Sequence, residues 1–336
     1  MCRRISVDKS FIARSIVIKK TECSLANLKF GYKRERVIIS RSLLPFFVLF
    51  CALLWGSAFP GIKGIYSAWA ENGIEPSFFN RLLIAGIRFT IAGGVLLTLA
   101  KQPWHEWQQT SKSRLLGFTC LQIFFQYLFF YTALAVSSAV LGSLLTATGS
   151  LWWVVLAPLI LKTAWPTRLQ WVLLTIGVAG VLVAIYRPGA GSGNPVLGAM
   201  LFLLSSLSGT LGVITLQGVV STMSSRTATG FSLFIGGLML SLAGIPAWPV
   251  LPELLTSKVL FLTIYLAFAS AAGFSTWNYL TTLFPVNLLA GYRFLIPICA
   301  VIESSFFVAG ESPGIGIFLG GSLVIAAVVF LQRTHR

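Results

Sequence analysis

Residues 53–66 read LLWGSAFPGIKGIY, an apolar stretch interrupted by glycines, a proline and a lysine. A helix needs about 20 apolar residues to cross a membrane, and the flanking sequence supplies them. Pro60 has no backbone N–H and can bend such a helix, so we predict either a hinge or a static bend at Gly56 and Pro60, with Pro297 as a second such site. Lys63 is either an interfacial anchor on a long stem or an anion-attracting group in an outer cavity.

The whole chain has the composition of an integral membrane protein. Its 336 residues are 56% hydrophobic and 10% charged, with a mean hydropathy of +0.85, whereas a soluble domain has about 25% charged residues. Apolar runs of membrane-crossing length predict an all-α protein with ten transmembrane helices. The predicted spans are 45–66, 80–100, 115–135, 138–162, 168–187, 196–217, 228–248, 259–281, 286–308 and 314–332.

The basic residues are distributed unevenly between the two sides of the predicted spans. Nineteen of the 25 lysines and arginines lie in the two termini and in loops on one side, and three lie in the opposite loops. The positive-inside rule therefore predicts a multi-pass protein of the cell inner membrane with both termini cytoplasmic. This bias also accounts for most of the net charge of +16 without nucleic acid as a partner. Residues 1–42 form a basic tail, which either contacts anionic lipid or precedes the true start of the working protein.

The ten spans divide into two halves of five, which we predict to be repeats at 43–187 and 188–332. A shift of 147 residues lays YLFFYTALAVSSAVLGSLLTATG (127–149) on FSTWNYLTTLFPVNLLAGYRFLI (274–296). Because five is odd, the second half enters the membrane in the opposite sense. Inverted repeats of this kind are typical of secondary carriers, whose substrate site lies near the midplane between the repeats.

Several motifs resemble those of the drug/metabolite transporter superfamily, in its EamA-type ten-helix branch. They are WGSAFPGIK (55–63), GIRFTIAGG (86–94), GVAGVLV (177–183), WNYL (277–280), RFLIPICAVIESSFFVAGES (293–312) and GGSLVIAAVVF (320–330). The resemblance covers roughly residues 43–332. The fourth span departs from the pattern, because Thr163-Ala164 stands where such proteins usually have Gly-Glu. The resemblance implies transport of small metabolites without nucleotide hydrolysis.

Charged and polar residues inside the spans are the candidates for substrate binding or gating. A charge near the bilayer centre costs at least ~2.5–3.5 kcal/mol on insertion scales, so such a residue normally faces a cavity or a partner. Arg88 is either a gating residue or part of a buried structural pair. Glu303 is a proton site, an ion-pair partner of Arg88 or Lys63, or a lipid-facing or interfacial group. The full set is Lys63, Arg88, Gln122, Gln126, Tyr131, Asn278, Arg293 and Glu303.

The uncharged candidates can also be explained by structural roles that involve no substrate. Gln122 and Gln126 lie one helical turn apart and either line a polar path or bind backbone between helices. Tyr131 is typical of the interfacial aromatic belt. Asn278 needs a hydrogen bond and is predicted to line the cavity. The excess of embedded cations over Glu303 favours an anionic or zwitterionic substrate.

These features predict a secondary transporter that works by alternating access and exports amino-acid-like or other small polar or amphipathic compounds. A channel, a non-transporting membrane protein and a lipid-acting membrane enzyme are the alternatives. We expect no enzyme activity, because no cluster of catalytic groups is present. The five cysteines are scattered and the two histidines lie in a loop and at the C-terminus, so no metal site or cofactor is expected. A homodimer is left open.

Overall fold

The computed structural model describes residues 42–161, 165–186, 189–190, 193–284, 289, 292 and 295–333, and it is almost entirely helical. The predicted all-α class is confirmed. The tail at residues 1–41 and the predicted site residue Arg293 lie outside the described residues. So does the departure from the motif at Thr163-Ala164.

The first half of the chain consists of long apolar helices joined by short connections. Two of them contain a change of helical type, a π-helical turn at Cys120–Phe125 and a 3₁₀ turn at Thr146–Thr148. The helices are α1 (Leu44–Gly56), α2 (Ala58–Glu71), α3 (Phe78–Thr98), α4 (Pro103–Gln109), α5 (Lys112–Thr119), α6 (Gln126–Val136), α7 (Ala139–Leu145), α8 (Gly149–Leu161) and α9 (Arg168–Tyr186).

The second half repeats this pattern of long helices and short connections. A 3₁₀ turn at Ile245–Val250 precedes a single-turn helix. A two-residue strand, β1 (Gly189–Ala190), pairs antiparallel with β2 (Ser312–Pro313), so the connection between the halves is bonded to the loop before the last helix. The helices are α10 (Pro195–Val219), α11 (Ser225–Ala243), α12 (Leu251–Leu254), α13 (Ser257–Leu283), α14 (Leu295–Phe307) and α15 (Ile315–Arg333).

Seven helical segments of the described chain are long and apolar enough to cross a membrane. Shorter apolar stretches at Arg168–Ala184, Leu295–Phe307 and Ile315–Ala327 fall where three further spans are predicted. The membrane-spanning character of the chain is therefore confirmed, and the count of ten stays a prediction.

The first predicted span, 45–66, is two consecutive helices rather than one, and it continues to Glu71. The break falls at Ser57, three residues before Pro60. A proline cannot donate to the carbonyl four residues earlier, so the helical bond to Gly56 is missing at this point. Pro297 lies in α14 (Leu295–Phe307), but the two residues before this helix are outside the described residues, so the second hinge stays a prediction.

Close contacts between glycines fix how the two halves pack. A Cβ atom on Gly86 of α3 would lie 2.7 Å from the carbonyl oxygen of Gly237 on α11. A Cβ atom on Gly180 of α9 would lie 2.6 Å from the carbonyl oxygen of Gly320 on α15. Small residues at these points let helix backbones approach closely, which is the main source of attraction between helices surrounded by lipid.

Candidate functional site

Arg88 is held in the interior of the bundle by neutral groups. Its side chain is 1% exposed. Nε donates to the Leu266 carbonyl at 3.1 Å and to the Ser270 hydroxyl at 2.8 Å, and Nη1 donates to the Tyr131 hydroxyl at 3.0 Å. Its guanidinium carbon lies 4.7 Å from the centre of the Phe89 ring, within the range of a cation–π contact. The arginine therefore ties α3 to α6 and α13, and its role in gating stays a prediction.

Tyr131 is not part of an interfacial belt, so that prediction is wrong. It is 1% exposed, and its hydroxyl accepts from Arg88. Its main-chain carbonyl accepts from the Tyr66 hydroxyl at 3.2 Å. The position near the end of a predicted span indicated an interface, but the neighbouring helices extend past it and bury it.

Lys63 is engaged in an ion pair, an arrangement that neither sequence alternative describes. Its Nζ atom lies 3.4 Å from Oε1 of Glu311 and donates to the Ser137 carbonyl at 2.9 Å. The second oxygen of Glu311 accepts from the main-chain N–H groups of Ala139 at 2.7 Å and Val140 at 3.2 Å. The two side chains are 15% and 7% exposed. We call these groups the Lys63–Glu311 tie.

The tie joins three separate parts of the chain at one end of the bundle. Lys63 belongs to α2, Ala139 and Val140 begin α7, and Glu311 follows α14. The sequence analysis gave Glu311 no role, although this residue lies near the end of the motif at 293–312. A second pair at the same end, Lys258 with Glu71, has both its nitrogen–oxygen distances at 3.0 Å but is 54% and 60% exposed, so it contributes little.

Gln122 and Asn278 form a buried amide layer. Nδ2 of Asn278 donates to Oε1 of Gln122 at 3.2 Å and to the Thr229 hydroxyl at 2.9 Å. Gln122 is 2% exposed, and Asn278 and Thr229 are fully buried. Asn278 therefore joins the π-helical turn, α11 and α13. Its side chain is satisfied by protein groups in this conformation.

Gln126 is half-buried and lies against α10. A Cβ atom on Gly209 would lie 2.6 Å from Oε1 of Gln126, and one on Gly212 would lie 2.8 Å from Cβ of Gln122. Both glutamines thus face the same helix, because two glycines on α10 make room for them.

Glu303 of α14 has a buried carboxyl oxygen, Oε2, without a hydrogen-bond partner among the described residues. The side chain lies against α1, where a Cβ atom on Gly56 would be 2.9 Å from Oε2. The interpretation of Glu303 as the ion-pair partner of Arg88 or Lys63 is wrong in this conformation, because both cations bond to other groups. The lipid-facing alternative does not fit the burial of Oε2.

Aromatic side chains surround the neighbouring turn of α1. The ring of Trp55 lies 5.4 Å from that of Phe274 and 5.5 Å from that of Trp277. Its Nε1–H is buried and, like Oε2 of Glu303, has no partner in the described part of the chain. The Ser57 and Tyr265 hydroxyls are 2.5 Å apart beside it. The turn around Gly56 thus combines an aromatic wall with polar atoms that can still accept or donate a hydrogen bond.

The bundle, with its membrane-length helices and interior polar groups, defines a multi-pass membrane protein. Residues 42–186 and 196–333 each match the EamA-like transporter family, and the chain belongs to that family. The resemblance to the drug/metabolite transporter superfamily is thereby confirmed.

This chain is also similar to a curated relative and to a protein of known structure. An uncharacterized transporter of Bacillus subtilis (strain 168), YvbV, is 27% identical over 297 residues, which cover 85% of this chain and 90% of the relative. One protein of known crystal structure shares the fold with a TM-score of 0.60 at 14% identity, covering 88% of this chain and 100% of the other.

Proposed function

We propose that the protein is a secondary transporter that exports small polar or amphipathic compounds, amino-acid-like ones among them, by alternating access. The Lys63–Glu311 tie closes the outer end of the bundle in this conformation, and the turn around Gly56 and Glu303 contributes to the substrate site. The protein lies in the cell inner membrane with both termini in the cytoplasm. Homodimer formation stays a prediction.

The observation that carries this proposal is the contrast between the tie and Glu303. At one end of the bundle, a partly buried ion pair fastens α2 and α7 of the first half to the loop after α14 in the second half. Deeper along α14, the Glu303 carboxyl keeps a buried oxygen without a partner in the described residues. An ion pair can break and re-form between conformations, and an unsatisfied buried carboxyl is available to a ligand.

Helix pairing supports the two inverted repeats. Helices α3 and α11, the second spans of the two halves, pack on one another. Helices α9 and α15, the fifth spans, do the same. The first helix pair of the first half packs on α13, the third span of the second half, and α10 in turn packs on α5 and α6. When the two halves are exchanged, the first two pairings map onto themselves and the last two map onto each other. A two-fold relation between the halves requires this. The two separate family matches fall on the same halves.

The charge argument for an anionic substrate loses its basis in the described residues. Lys63 and Arg88 both bond to protein groups, so neither presents a free cation in this conformation. An amino-acid-like substrate would instead find the carboxyl of Glu303 for its amine and the indole N–H of Trp55 for an acceptor. The orientation of the tie toward the outside rests on the charge bias between the loops.

A binding screen followed by transport measurements tests the proposal. Detergent-purified protein is heated with each of a panel of amino acids, nucleosides, sugars, organic acids and organic cations. A ligand present at ~100 times its Kd adds about 2.7 kcal/mol to the stability of the folded state. Each hit is then assayed for saturable uptake into proteoliposomes, with Glu303→Gln as the test variant and the exposed carboxyl variant Glu253→Gln as the control.

Saturable uptake that Glu303→Gln reduces at least tenfold and Glu253→Gln leaves unchanged is the expected result. Uptake that never saturates, together with a single-channel conductance, would replace the transporter by a channel. Ligands that shift the melting temperature equally in both variants would remove Glu303 from the site.

A further inference from the structure

Pro60 removes the helical donor of one main-chain carbonyl in the first predicted span. In a regular helix the N–H of residue 60 donates to the carbonyl of residue 56, and a proline has no N–H to donate. The helix accordingly divides here, with α1 ending at Gly56 and α2 beginning at Ala58. The next helical bond, from Gly61 N–H to the Ser57 carbonyl at 3.0 Å, is intact. The carbonyl of Gly56 therefore lacks its helical donor.

Glu303 lies directly against the same residue. A Cβ atom on Gly56 would sit 2.9 Å from Oε2 of Glu303 and 3.0 Å from the main-chain nitrogen of Ala300. Only glycine allows α14 to approach α1 this closely, because any side chain would push the carboxyl away. Oε2 is buried and has no hydrogen-bond partner among the described residues. A carboxyl oxygen without a donor thus lies against the residue whose carbonyl lacks its helical donor.

Two oxygen acceptors cannot bond to each other unless one of them carries a proton. A carboxylate is acceptor-only, whereas a protonated carboxyl donates through its O–H. An ionised Glu303 cannot donate to the Gly56 carbonyl, and its charge would be repelled by the negative end of that carbonyl dipole on close approach. When Glu303 takes up one proton, the charge disappears and the new O–H can donate to that carbonyl.

The other titratable groups nearby supply no cation to this carboxyl in the described residues. Lys63, on α2, pairs with Glu311. Tyr66 bonds to the Tyr131 carbonyl, and Tyr265 on α13 bonds to Ser57. Cys299 lies one turn away on α14, and the described residues of α7 and of the 3₁₀ turn that follows it are uncharged. In this conformation no described cation reaches Glu303.

We propose that the Glu303 carboxyl and the main-chain carbonyl of Gly56 form a proton-binding site that couples transport to the proton gradient. The protonated site fastens α14 to α1 at the break before Pro60, and loss of the proton separates them. Since α14 leads into the loop that carries Glu311, this movement acts on the tie at the outer end. The coupling role rests on the proposed transport function, whereas the proton site does not.

Infrared difference spectroscopy of the purified, full-length protein tests the site without a substrate. Spectra recorded across a pH titration report the C=O stretch of a protonated carboxylic acid. The expected result is a band that grows as the pH falls in the wild type and in Glu253→Gln, and that is lost in Glu303→Gln. In Pro60→Ala a backbone N–H again occupies the Gly56 carbonyl, so the band should move to higher frequency as its hydrogen bond weakens.

Persistence of the whole band in Glu303→Gln, or an unmoved band in a folded Pro60→Ala protein, would overturn the inference. Proteoliposomes then separate the two proposals. An imposed pH gradient should drive uptake of an identified substrate in the wild type, whereas Glu303→Gln should catalyse only exchange that ignores the gradient. Uptake by the wild type that does not respond to the gradient would refute proton coupling but would still support the transport function. The infrared band without any uptake would refute the transporter and leave the proton site.

Discussion

Replacing Glu311 with glutamine should open the outer end of the bundle. The Nζ–Oε1 distance of 3.4 Å corresponds to a gross attraction of about 5 kcal/mol at an effective dielectric constant of about 20. Glutamine keeps a carbonyl oxygen that can still accept from Ala139 or Val140, so part of the contact survives. Desolvation of the two charges offsets much of the remainder. We therefore expect a net loss of about 2 kcal/mol, which corresponds to a shift of roughly 30-fold in the equilibrium toward the open form.

A cysteine at Ser137 provides the assay. Ser137 is 1% exposed, its carbonyl accepts from Lys63, and its hydroxyl donates to the Ala133 carbonyl, so a thiol at this position is covered in this conformation. In a background without the five native cysteines, the rate of labelling by a membrane-impermeant maleimide reports the open population. Glu311→Gln should raise this rate by roughly 30-fold if labelling follows the opening equilibrium.

The other ion pair at the same end supplies the matched control. Glu71→Gln breaks the contact with Lys258, but both partners are more than half exposed, so the change should be about 0.2–1 kcal/mol. Labelling should then rise by no more than about fivefold. Equal labelling rates in Glu311→Gln and Glu71→Gln would refute the reasoning. A double-mutant cycle of Glu311→Gln with Lys63→Met would show whether the two charges interact.

Three stability predictions concern the packing of the helices, each measured by the thermal unfolding of the purified variant. Arg88→Lys should lower the free energy of unfolding by about 2 kcal/mol, because one ammonium cannot bond to Tyr131 and to α13 together. A variant as stable as the wild type would contradict this. Gly86→Ala should cost about 1–3 kcal/mol, since its Cβ would fall 2.2 Å from a serine hydroxyl oxygen on α11. Gly94→Ala, with no atom within 4 Å, should be neutral or stabilising, and equal losses in the two would refute the close-packing argument. Asn278→Leu should lower the free energy of unfolding by about 1–3 kcal/mol, because it leaves the buried groups of Gln122 and Thr229 without this partner. An unchanged stability would mean that the amide layer does not stabilise the fold.

The sequence predicts most of the helices and the classes of residue in the interior, but not their partners. Runs of apolar residues locate the spans because the bilayer imposes one length on all of them. The charge of Arg88 inside such a run is visible at once, whereas the three neutral groups that bind it come from two distant helices. Periodicity cannot reveal such a set, since serine, tyrosine and a main-chain carbonyl look ordinary in any helix.

Lys63 and Glu303 likewise show that the sequence does not identify which charged groups contact each other. One cation and one buried acid invite a pairing, but the acid that Lys63 actually contacts stands in a loop, where sequence alone indicates a solvated surface. The break at Ser57 was better specified, because a proline removes a particular hydrogen bond wherever it stands. What the sequence could not show is that α14 brings a carboxyl against the residue whose carbonyl this proline leaves without its helical donor.

The neutral surroundings of Arg88 have a consequence for how the protein is made. Its helix leaves the ribosome with a permanent charge, while its contact on α13 lies 178 residues further along the chain. At roughly 5–20 residues per second, synthesis of that stretch takes on the order of ten seconds or more. Tyr131, 43 residues downstream, is the earliest partner to arrive. The helix that carries Arg88 is therefore synthesised well before the α13 groups that bind this arginine in the folded protein.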